Sequence, residues 1–470
     1  MKIKQYAAFA LMGLALGACN KPGGEGPDSL GPDEGKTGRL KLSFALPDKI
    51  GTYAPGDGDD NATDAEVAVD YIDVFIYDDG GGFGLTHETI LAADMTQGPV
   101  GTPNVWTLDD PIPVRPGRKQ VYVGVNLPSY IVNRLVTGHY VNESFASADP
   151  AAGDDDLVRS TGHLAFFNAD LTGDVHIVDV PETGTPTPFS VNVSRLVAKI
   201  IVKEGSGLSK VASGGVVSDL QFTIGQRNDS IYVMPLEGLV DPNFENGAGV
   251  GELEDPVDDI LYPYVQVNPS TLTSADWGAV GTNKVYAPEN TVDGSVGAQH
   301  QDVTYVSVRA KFTPNVWDDG GTPDASGEFW AVFTGSDDDE GLGQRYFTTE
   351  AAADQFIIDN PSIAATDAPS HYVNGHCYYR LYLNPDSYNI LRNNLYEATI
   401  THINYIGTPT PDMLPGSAGS PTHPTFPGGY ELAPAVTQTD VIENIPRNPI
   451  GGSVQISEWE GLHQRDYELQ

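Results

Sequence analysis

A short run near the start of the chain alternates apolar residues with polar or small ones. Its apolar members occupy every second position: Leu40, Leu42, Phe44 and Leu46. A period of two residues puts them on one face of a strand, which must join a sheet to hide that face. The run ends at Pro47-Asp48-Lys49, and the next lysine or arginine is Arg115. A trypsin-like cut after Lys49 would therefore remove this first strand and spare the body of the protein.

Similar runs recur along the chain between Gly/Pro-rich loops, and they predict a mostly β protein with a few short helices. The predicted strands cover residues 67–77, 104–108, 119–125, 165–167, 174–180, 188–203, 217–224, 230–233, 303–312 and 329–333. Residues 371–383 and 395–405 are predicted as two more strands, joined by residues 384–394. Helices are predicted over residues 129–136, directly after Pro128, and over residues 345–358.

The C-terminal tail also has strand character, in two short sets separated by a tryptophan. Its apolar residues are Val454, Ile456, Trp459, Tyr467 and Leu469. A sheet that lost its first strand would expose unpaired backbone groups along an apolar trough, and an extended segment could fill that trough. The tail of a second copy is the natural donor. Such a contact is head-to-tail, and it propagates into a fibre unless a ring closes.

The composition favours a loop-rich, exported β protein. Gly (52) and Pro (35) are abundant, yet 40% of residues are hydrophobic, which is too many for a disordered chain. The formal net charge is −39, with only 25 Lys plus Arg. So few cations argue against binding nucleic acid, whose phosphates must be neutralised. They argue equally against a basic patch that holds an anionic membrane surface.

The first nineteen residues read as a lipoprotein signal peptide. Lys2 and Lys4 precede an apolar stretch too short to span a bilayer, and the segment ends in Leu16-Gly17-Ala18-Cys19. This ending resembles a bacterial lipobox, in which cleavage leaves the cysteine as a lipidated N-terminus. We therefore expect Cys19 to tether the precursor to a membrane through lipid. Residues 20–38 are rich in Gly, Pro and acids and are predicted to be a tether.

No motif in the sequence predicts an enzyme, a cofactor or a metal site. The spacings of nucleophile elbows, zinc-binding helices and nucleotide-binding loops are absent. Asp57, Asp59 and Asp60 lack the ligand order of a calcium loop, and the acidic run 336–341 is better explained as solvated charge. With Cys19 lipidated, Cys377 has no disulfide partner and is predicted to be a small buried apolar residue.

A glycan-binding β-sandwich lipoprotein is the alternative function, and an enzyme is a more distant one. A sugar-binding surface needs exposed, coplanar aromatic rings. The candidate rings are Trp106, Trp277, Trp317 and Trp330. Burial in a core is the default for each of them.

Several motifs together resemble the Bacteroidales fimbrillins, the subunits of type V pili. They are the lipobox, the early strand ending in a basic residue, and the runs SVNVSRLVAKIIV, GHCYYRLYL, LRNNLYEATITHINYIGTP and VQISEWEGLHQRDYEL. The resemblance covers most of residues 1–205 and 371–470. Its most specific part is the string from Arg392 to Tyr396 with the Gly-Thr-Pro ending that follows.

The resemblance implies a domain organisation and a mode of assembly. After a signal peptide (residues 1–19) and a propeptide (20–49) come two transthyretin-like β-sandwich domains, residues 50–190 and 191–470. An Arg/Lys-specific protease removes the first strand, and subunits then join by strand exchange through a C-terminal donor tail at about residues 450–470. Val454, Ile456, Trp459, Tyr467 and Leu469 are the candidate donor contacts.

Two residues are candidates for the processing site. Family members are commonly cut after Arg, and here Arg39 precedes the first strand, so a cut there would retain it. Lys49 is therefore preferred and Arg39 is the alternative.

The implied partners are copies of the chain, tip and anchor subunits, the protease, and the outer membrane through the lipid. The implied location is the cell surface, in a fimbrium that supports adhesion to a ligand that the sequence does not name.

Overall fold

The structure is a computed structural model of the 470-residue chain. It describes residues 37–47, 62–79, 84–99, 104–138, 141, 144–146, 154–169, 176–182, 184–212, 214–228, 230–235, 241, 264–265, 276–291, 300, 303–334, 343–361, 368–411, 450–458 and 464–469. Cys19, Lys49, Trp459, the cluster Asp57/Asp59/Asp60 and the acidic run 336–341 lie outside the described residues.

The described chain is mostly β-sheet with two short helices, which confirms the predicted all-β fold class. The strands of its first part are β1 (Gly38–Ala45), β2 (Tyr71–Asp78), β3 (Leu85–Leu91), β4 (Met95–Gln97), β5 (Val105–Leu108), β6 (Ile112–Val114), β7 (Gly117–Val125), β8 (Ser144–Ala146), β9 (Phe166–Asn168), β10 (Ile177–Val180) and β11 (Thr187–Arg195). One short helix, α1 (Ser129–Val136), follows β7 at the predicted residues.

The remaining strands follow in chain order. They are β12 (Val197–Ser209), β13 (Val211–Ala212), β14 (Gly215–Gly225), β15 (Arg227–Asn228), β16 (Ser230–Tyr232), β17 (Tyr264–Val265), β18 (Gly278–Ala279), β19 (Lys284–Pro288), β20 (Tyr305–Pro314), β21 (Phe329–Thr334), β22 (Gly343–Phe347), β23 (Ser370–Tyr372), β24 (His376–Tyr382), β25 (Asn394–Ile403), β26 (Ile450–Glu458) and β27 (Gln464–Leu469). A second helix, α2 (Glu350–Asp359), lies between β22 and β23.

The strands form one large sheet in the first part of the chain and several smaller sheets in the second. The large sheet has ten strands in the order β3-β2-β7-β9-β11-β1-β5-β4, with β10 beside β7 and β6 beside β1. In the second part, a five-stranded sheet runs β19-β12-β25-β26-β27, and another runs β13-β14-β20-β24 with β18 beside β14. A three-stranded sheet, β22-β21-β23, and the pairs β15-β17 and β8-β16 complete the described sheets.

Two large hydrophobic cores lie under these sheets. The first contains side chains of β1, β2, β7, β9, β11 and α1, and the second contains side chains of β12, β14, β20, β24, β25 and β26. The cores change over inside β12, where Val197 belongs to the first and Ala198 to the second. The division into domains at residues 50–190 and 191–470 stays a prediction.

The predicted helix over residues 345–358 begins too early. Residues up to Phe347 form β22, which pairs antiparallel with β21 and buries Tyr346 and Phe347. The helix starts only at Glu350, where the hydroxyl of Thr349 accepts a hydrogen bond from the Ala352 amide at 3.3 Å. The aromatic residues enter the sheet because they can be buried there, and the threonine provides the N-cap that marks the true helix start.

The two strands predicted over residues 371–383 and 395–405 lie in different sheets. The first stretch divides into β23 and β24, and β24 pairs with β20. The second stretch is β25, which lies between β12 and β26 in the opposite five-stranded sheet. The connection between β24 and β25 therefore crosses from one sheet to another, and alternation within each strand could not reveal this because it reports faces, not partners.

Candidate functional site

The first strand lies inside the large sheet, with a neighbour along both edges. On one side β1 runs parallel to β11, from Leu40 opposite Thr187 to Ala45 opposite Asn192. On the other side it runs antiparallel to β6 in its first half and to β5 in its second half. Beyond the strand, the Leu46 amide donates to the Asn104 carbonyl at 3.0 Å. An N-terminal segment thus fills an internal position of the sheet, and we call this position the strand slot.

The apolar face of β1 is fully packed into the first core. The exposed fractions of Leu40, Leu42, Phe44 and Leu46 are 0%, 0%, 1% and 4%. Burying a side chain of this size is worth roughly 1.5–3 kcal/mol. The four residues predicted from the alternation are therefore the four that the strand slot holds most closely.

The opposite face of β1 is fastened to β5 and its following turn by polar side chains. The Lys41 ammonium donates to the Leu108 carbonyl and, at 2.7 Å, to the Asp109 carbonyl. The hydroxyls of Ser43 and Thr107 lie 2.9 Å apart, in register across the two strands. These side-chain contacts hold β1 against β5 in addition to the backbone pairing of the two strands.

The two candidate processing residues have different positions relative to this strand. Arg39 has an exposed side chain but lies within β1, opposite Pro113 of β6. The described segment ends at Pro47, after the last sheet residue, Ala45, and Lys49 follows two positions later, outside the described residues. Arg39 is thus part of the paired strand, whereas Lys49 comes after it.

The predicted donor tail forms two strands on its own chain. β26 pairs antiparallel with β25, and β27 pairs antiparallel with β26 at the end of that sheet. Val454 is fully buried in the second core, and Ile456 packs against it partly buried. In the backbone register, Tyr467 lies opposite Val454, and Leu469 lies opposite Gly452.

A pair of glycines fits β26 closely against β25. A Cβ atom at Gly452 would lie 2.0 Å from the carbonyl oxygen of Thr399, and one at Gly451 would lie 2.3 Å from the ring of His402. The register of β25 and β26 shifts at this point, between Ile400 and His402. Only glycine allows such a close approach of the two backbones.

Sequence reasoning missed a buried ionic cluster that joins the two parts of the chain. Glu66, in a 3₁₀ turn next to the first core, is fully buried. It accepts hydrogen bonds from Lys199 at 3.2 Å, from Lys284 at 2.8 Å and from the Tyr286 hydroxyl. Burial favours its neutral form, but the hydrogen bonds from Lys284 and Tyr286 and the charge of Lys199 outweigh burial and lower the pKa of Glu66 to about 2. The only sequence signal was a lysine inside the apolar run of β12.

The string Arg392-Asn393-Asn394, part of the sequence resemblance described above, makes further contacts between distant parts of the chain. The guanidinium of Arg392 donates to Glu289 Oε2 at 3.0 Å and to the carbonyls of Val233 at 3.0 Å and Tyr232 at 2.5 Å. Asn393 has a φ of 58°, its amide donates to the Val197 carbonyl at 3.0 Å, and its side-chain oxygen accepts from Arg195 at 3.0 Å. Asparagine tolerates this left-handed conformation better than most residues. The string therefore has a structural role at the entry to β25.

The tryptophans do not present the arrangement that a sugar platform requires. Trp277 is buried, Trp106 packs against the first core and Trp317 against the second. Trp330 stacks on the ring of His371, with 4.6 Å between ring centroids and an interplanar angle of 2°. Among the described residues, no two tryptophan rings are paired in the open. The glycan-binding alternative therefore gains no support from them.

Other candidate chemistry is also weak within the described residues. Cys377 is fully buried, and burial raises the pKa of its thiol to about 11, so the reactive thiolate is disfavoured. No group of three or more metal-binding side chains is found in the described part of the chain. Neither described helix has the length and hydropathy needed to cross a membrane.

Comparisons with known proteins give only distant structural likeness. No protein-family model matches the chain, and no curated protein matches it. A candidate cell adhesion protein from Parabacteroides distasonis has 12% identity and a TM-score of 0.44, over 91% of this chain and 99% of that one. A candidate cell adhesion protein from Bacteroides eggerthii has 15% identity and a TM-score of 0.42, over 90% and 96%. A fimbrial assembly protein from Parabacteroides distasonis has 12% identity and a TM-score of 0.35, over 77% and 92%. At such values the likeness carries no argument about this chain.

Proposed function

We propose that this chain is the precursor of a structural subunit of a cell-surface fimbria. In this proposal, proteolysis removes β1, and the tail of a second copy then takes its place in the strand slot. The observation that carries the proposal is the position of β1, an internal strand with both edges paired that lies close to the N-terminus and precedes a lone basic residue. A strand that served only the fold of a monomer would need no such basic residue directly after it.

Removing β1 would create a strong binding site for an extended segment. β11, β5 and β6 would each lose β1 as a backbone partner, and four apolar side chains would leave an open trough. Refilling it is worth about 6 to 12 kcal/mol before entropic costs, which is an upper bound. This is comparable with the whole stability of a typical domain. The intact strand would therefore keep the precursor monomeric.

The surroundings of β1 favour Lys49 over Arg39 as the processing site. Proteases cut backbone in exposed segments far more readily than backbone paired in a sheet. Arg39 lies within the ladder between β1 and β6, so a cut there would require the strand to open first. It would also leave Leu40 to Leu46 in place. A cut after Lys49 would release the entire strand.

Donation by the tail requires β26 and β27 to leave their own sheet. Val454 would then leave the second core, and β25 would lose the partner along its outer edge. The gain in the slot of a second copy must exceed this loss. The apolar residues of the tail would then pack either in their own sheet or in the slot of a second copy. This double use would explain why the tail has strand character and lies at the end of a sheet.

Proteolysis of the purified precursor tests the proposal. We expect a Lys/Arg-specific protease to yield a chain beginning at Ile50 that assembles into fibres, as seen by N-terminal sequencing and electron microscopy. The variant Lys49→Gln should keep its first strand and remain monomeric. A cut chain that loses β1 and stays monomeric at high concentration would contradict the proposal.

A disulfide offers a sharper control, since it separates the cut from the loss of the strand. The side-chain oxygens of Ser43 and Thr107 are 2.9 Å apart, so cysteines at both positions are within bridging distance. We expect oxidised Ser43→Cys/Thr107→Cys to be cut after Lys49 without assembling, and to assemble once reduced. Ser43→Cys alone is the matched control and should assemble under both conditions.

A further inference from the structure

We infer that the strand slot has one fixed wall and one movable wall, and that the movable wall closes on the incoming strand. The fixed wall is β11, and the movable wall consists of β4, β5 and β6. The partner is an extended segment from a second copy, with apolar residues at alternate positions. This inference rests on the proposed removal of β1, and it adds how the vacated slot recognises its occupant.

The fixed wall has backbone contacts that do not involve β1. Residues Val193–Arg195 of β11 pair with β9. On either side of this pairing, the Ala169 amide donates to the Asn192 carbonyl at 2.8 Å, and the Leu196 amide donates to the Ala165 carbonyl at 3.0 Å. Removing β1 would expose the edge of Thr187–Asn192, the part of β11 that pairs with it. The adjoining residues Asn192–Leu196 would keep their backbone contacts with β9 and its flanking residues, and they would hold β11 to the large sheet.

Among the described residues, the strands of the movable wall have no comparable pairing with the rest of the large sheet. β5 and β6 pair with β1, and β4 pairs only with β5. In the part of the chain that the structure describes, β1 is the only strand that links these three strands to the rest of the sheet. The side-chain contacts of Lys41 with the turn after β5, and of Ser43 with Thr107, also depend on β1.

Side-chain packing would hold the movable wall near its place without fixing its backbone. Met95, Leu108, Ile112 and Val114 are buried in the first core, among the side chains of β1. After removal of β1 these residues would lose apolar neighbours, and β4, β5 and β6 would keep only the pairing of β4 with β5 among the strand pairings of the described residues. A segment with few backbone bonds and reduced packing opens locally at low free energy. An incoming strand would pair first with β11, and the movable wall would then close over its other edge.

Hydrogen–deuterium exchange on the full chain before and after cleavage tests this asymmetry. We expect the amides of Val105–Leu108 and Ile112–Val114 to exchange at least tenfold faster in the monomer freshly cut after Lys49 than in the precursor. Amides of Val193–Arg195, paired with β9, should change much less. Adding a synthetic peptide of residues 38–47 should restore protection of β5 and β6 to that of the precursor.

The outcomes distinguish this inference from the proposed function. Equal protection of β5 and β6 before and after loss of β1 would overturn the movable wall, whether or not fibres form. Equal deprotection of β5, β6 and Val193–Arg195 would also overturn it, because both walls would then be loose. Selective deprotection in a cut chain that never assembles would support the movable wall and contradict the fimbrial proposal.

Discussion

At the scale of single residues, buried charge is the least predictable feature of this chain. Lys199 stands in an apolar run where the pattern alone assigns a strand, and Glu66 stands in a short turn with no motif around it. The carboxylate and its partners are separated by more than a hundred positions along the chain. Alternation predicts which residues are buried, but it does not predict which distant residue neutralises a buried charge. The string Arg392-Asn393-Asn394 stands out in the sequence, but only the structure gives a physical reason for it, in the contacts of Arg392 with Glu289 and of Asn393 with Val197.

Glu66→Gln should lower stability and flatten its dependence on pH. The folded pKa of Glu66 is about 2 against an ordinary 4.5, so its ionisation stabilises the fold above pH 4.5. That contribution, about 3 kcal/mol, is lost as the pH falls from 4.5 toward 2. At pH 7 we expect the variant to be destabilised by about 3 to 5 kcal/mol, because Lys199 stays buried beside a neutral amide.

Urea unfolding of the precursor at pH 7 and pH 3 measures both effects of Glu66→Gln. The difference between wild type and variant should be large at pH 7 and clearly smaller at pH 3. Asp386→Asn, which changes an exposed carboxylate in a turn, is the control and should match wild type at both values. A difference that is the same at both pH values would contradict the assigned charge state of Glu66.

At the scale of elements, the sequence predicts strands well and their partners poorly. The first strand, β7, β11 and β12, β14, β20 and helix α1 were all predicted close to where they lie. Their alternation or amphipathic spacing is local, so a single sequence contains it. Sheet order depends on contacts such as that of β1 with β11, about 150 positions apart, which no local pattern encodes. The tail was predicted as strand for the same local reason, while its pairing with β25 was not.

Phe44→Ala should destabilise the precursor and leave the processed chain unchanged. The Phe44 ring is 1% exposed in the first core, and truncating a buried phenylalanine costs about 3 to 5 kcal/mol. The cost should appear in the unfolding of the uncut chain by urea. It should vanish after proteolysis, since β1 is then gone. Ala45→Ser, on the other face of the same strand, is the control and should change little. A deficit that persists after complete cleavage behind Lys49 would mean that the cut strand stays in the slot.

Gly452→Val should expel the C-terminal hairpin from its own sheet. The new Cβ would lie 2.0 Å from the Thr399 carbonyl oxygen, and β26 must move away to relieve this clash. In the uncut monomer, we expect β26 and β27 to become susceptible to limited proteolysis and to rapid hydrogen exchange. Ser453→Val, one position along and partly buried, adds the same side chain and should keep the hairpin in place. A hairpin equally protected in both variants would show that the close fit at Gly452 is not needed.

At the scale of the whole molecule, the charge opposes the assembly that the strand slot favours. The full precursor carries a formal net charge of −39, and the proposed fibre would place many strongly acidic copies in contact. Like charge keeps the precursor soluble and slows the encounter of two subunits. In the proposed assembly, fibre formation would therefore depend on a short-range gain, the filling of an apolar slot, that acts only after contact. The net charge and the alternating apolar residues can be read from the sequence, but only the structure shows that the slot is internal and that the four apolar side chains of β1 are buried in it.

The rate of assembly after cleavage should therefore rise with ionic strength. Raising the salt from 10 mM to 150 mM shortens the Debye length from about 30 Å to about 8 Å, which screens repulsion between whole subunits. The apolar contacts in the slot are hardly affected over this range, so the expected change is in the association rate, by about tenfold. Light scattering after addition of protease, corrected for the cleavage rate read from gels, measures it. The uncut Lys49→Gln variant should stay monomeric at both salt concentrations. A rate that falls with salt would contradict this prediction. It would mean that oppositely charged surfaces of two copies attract each other during the encounter, and that net repulsion does not limit assembly.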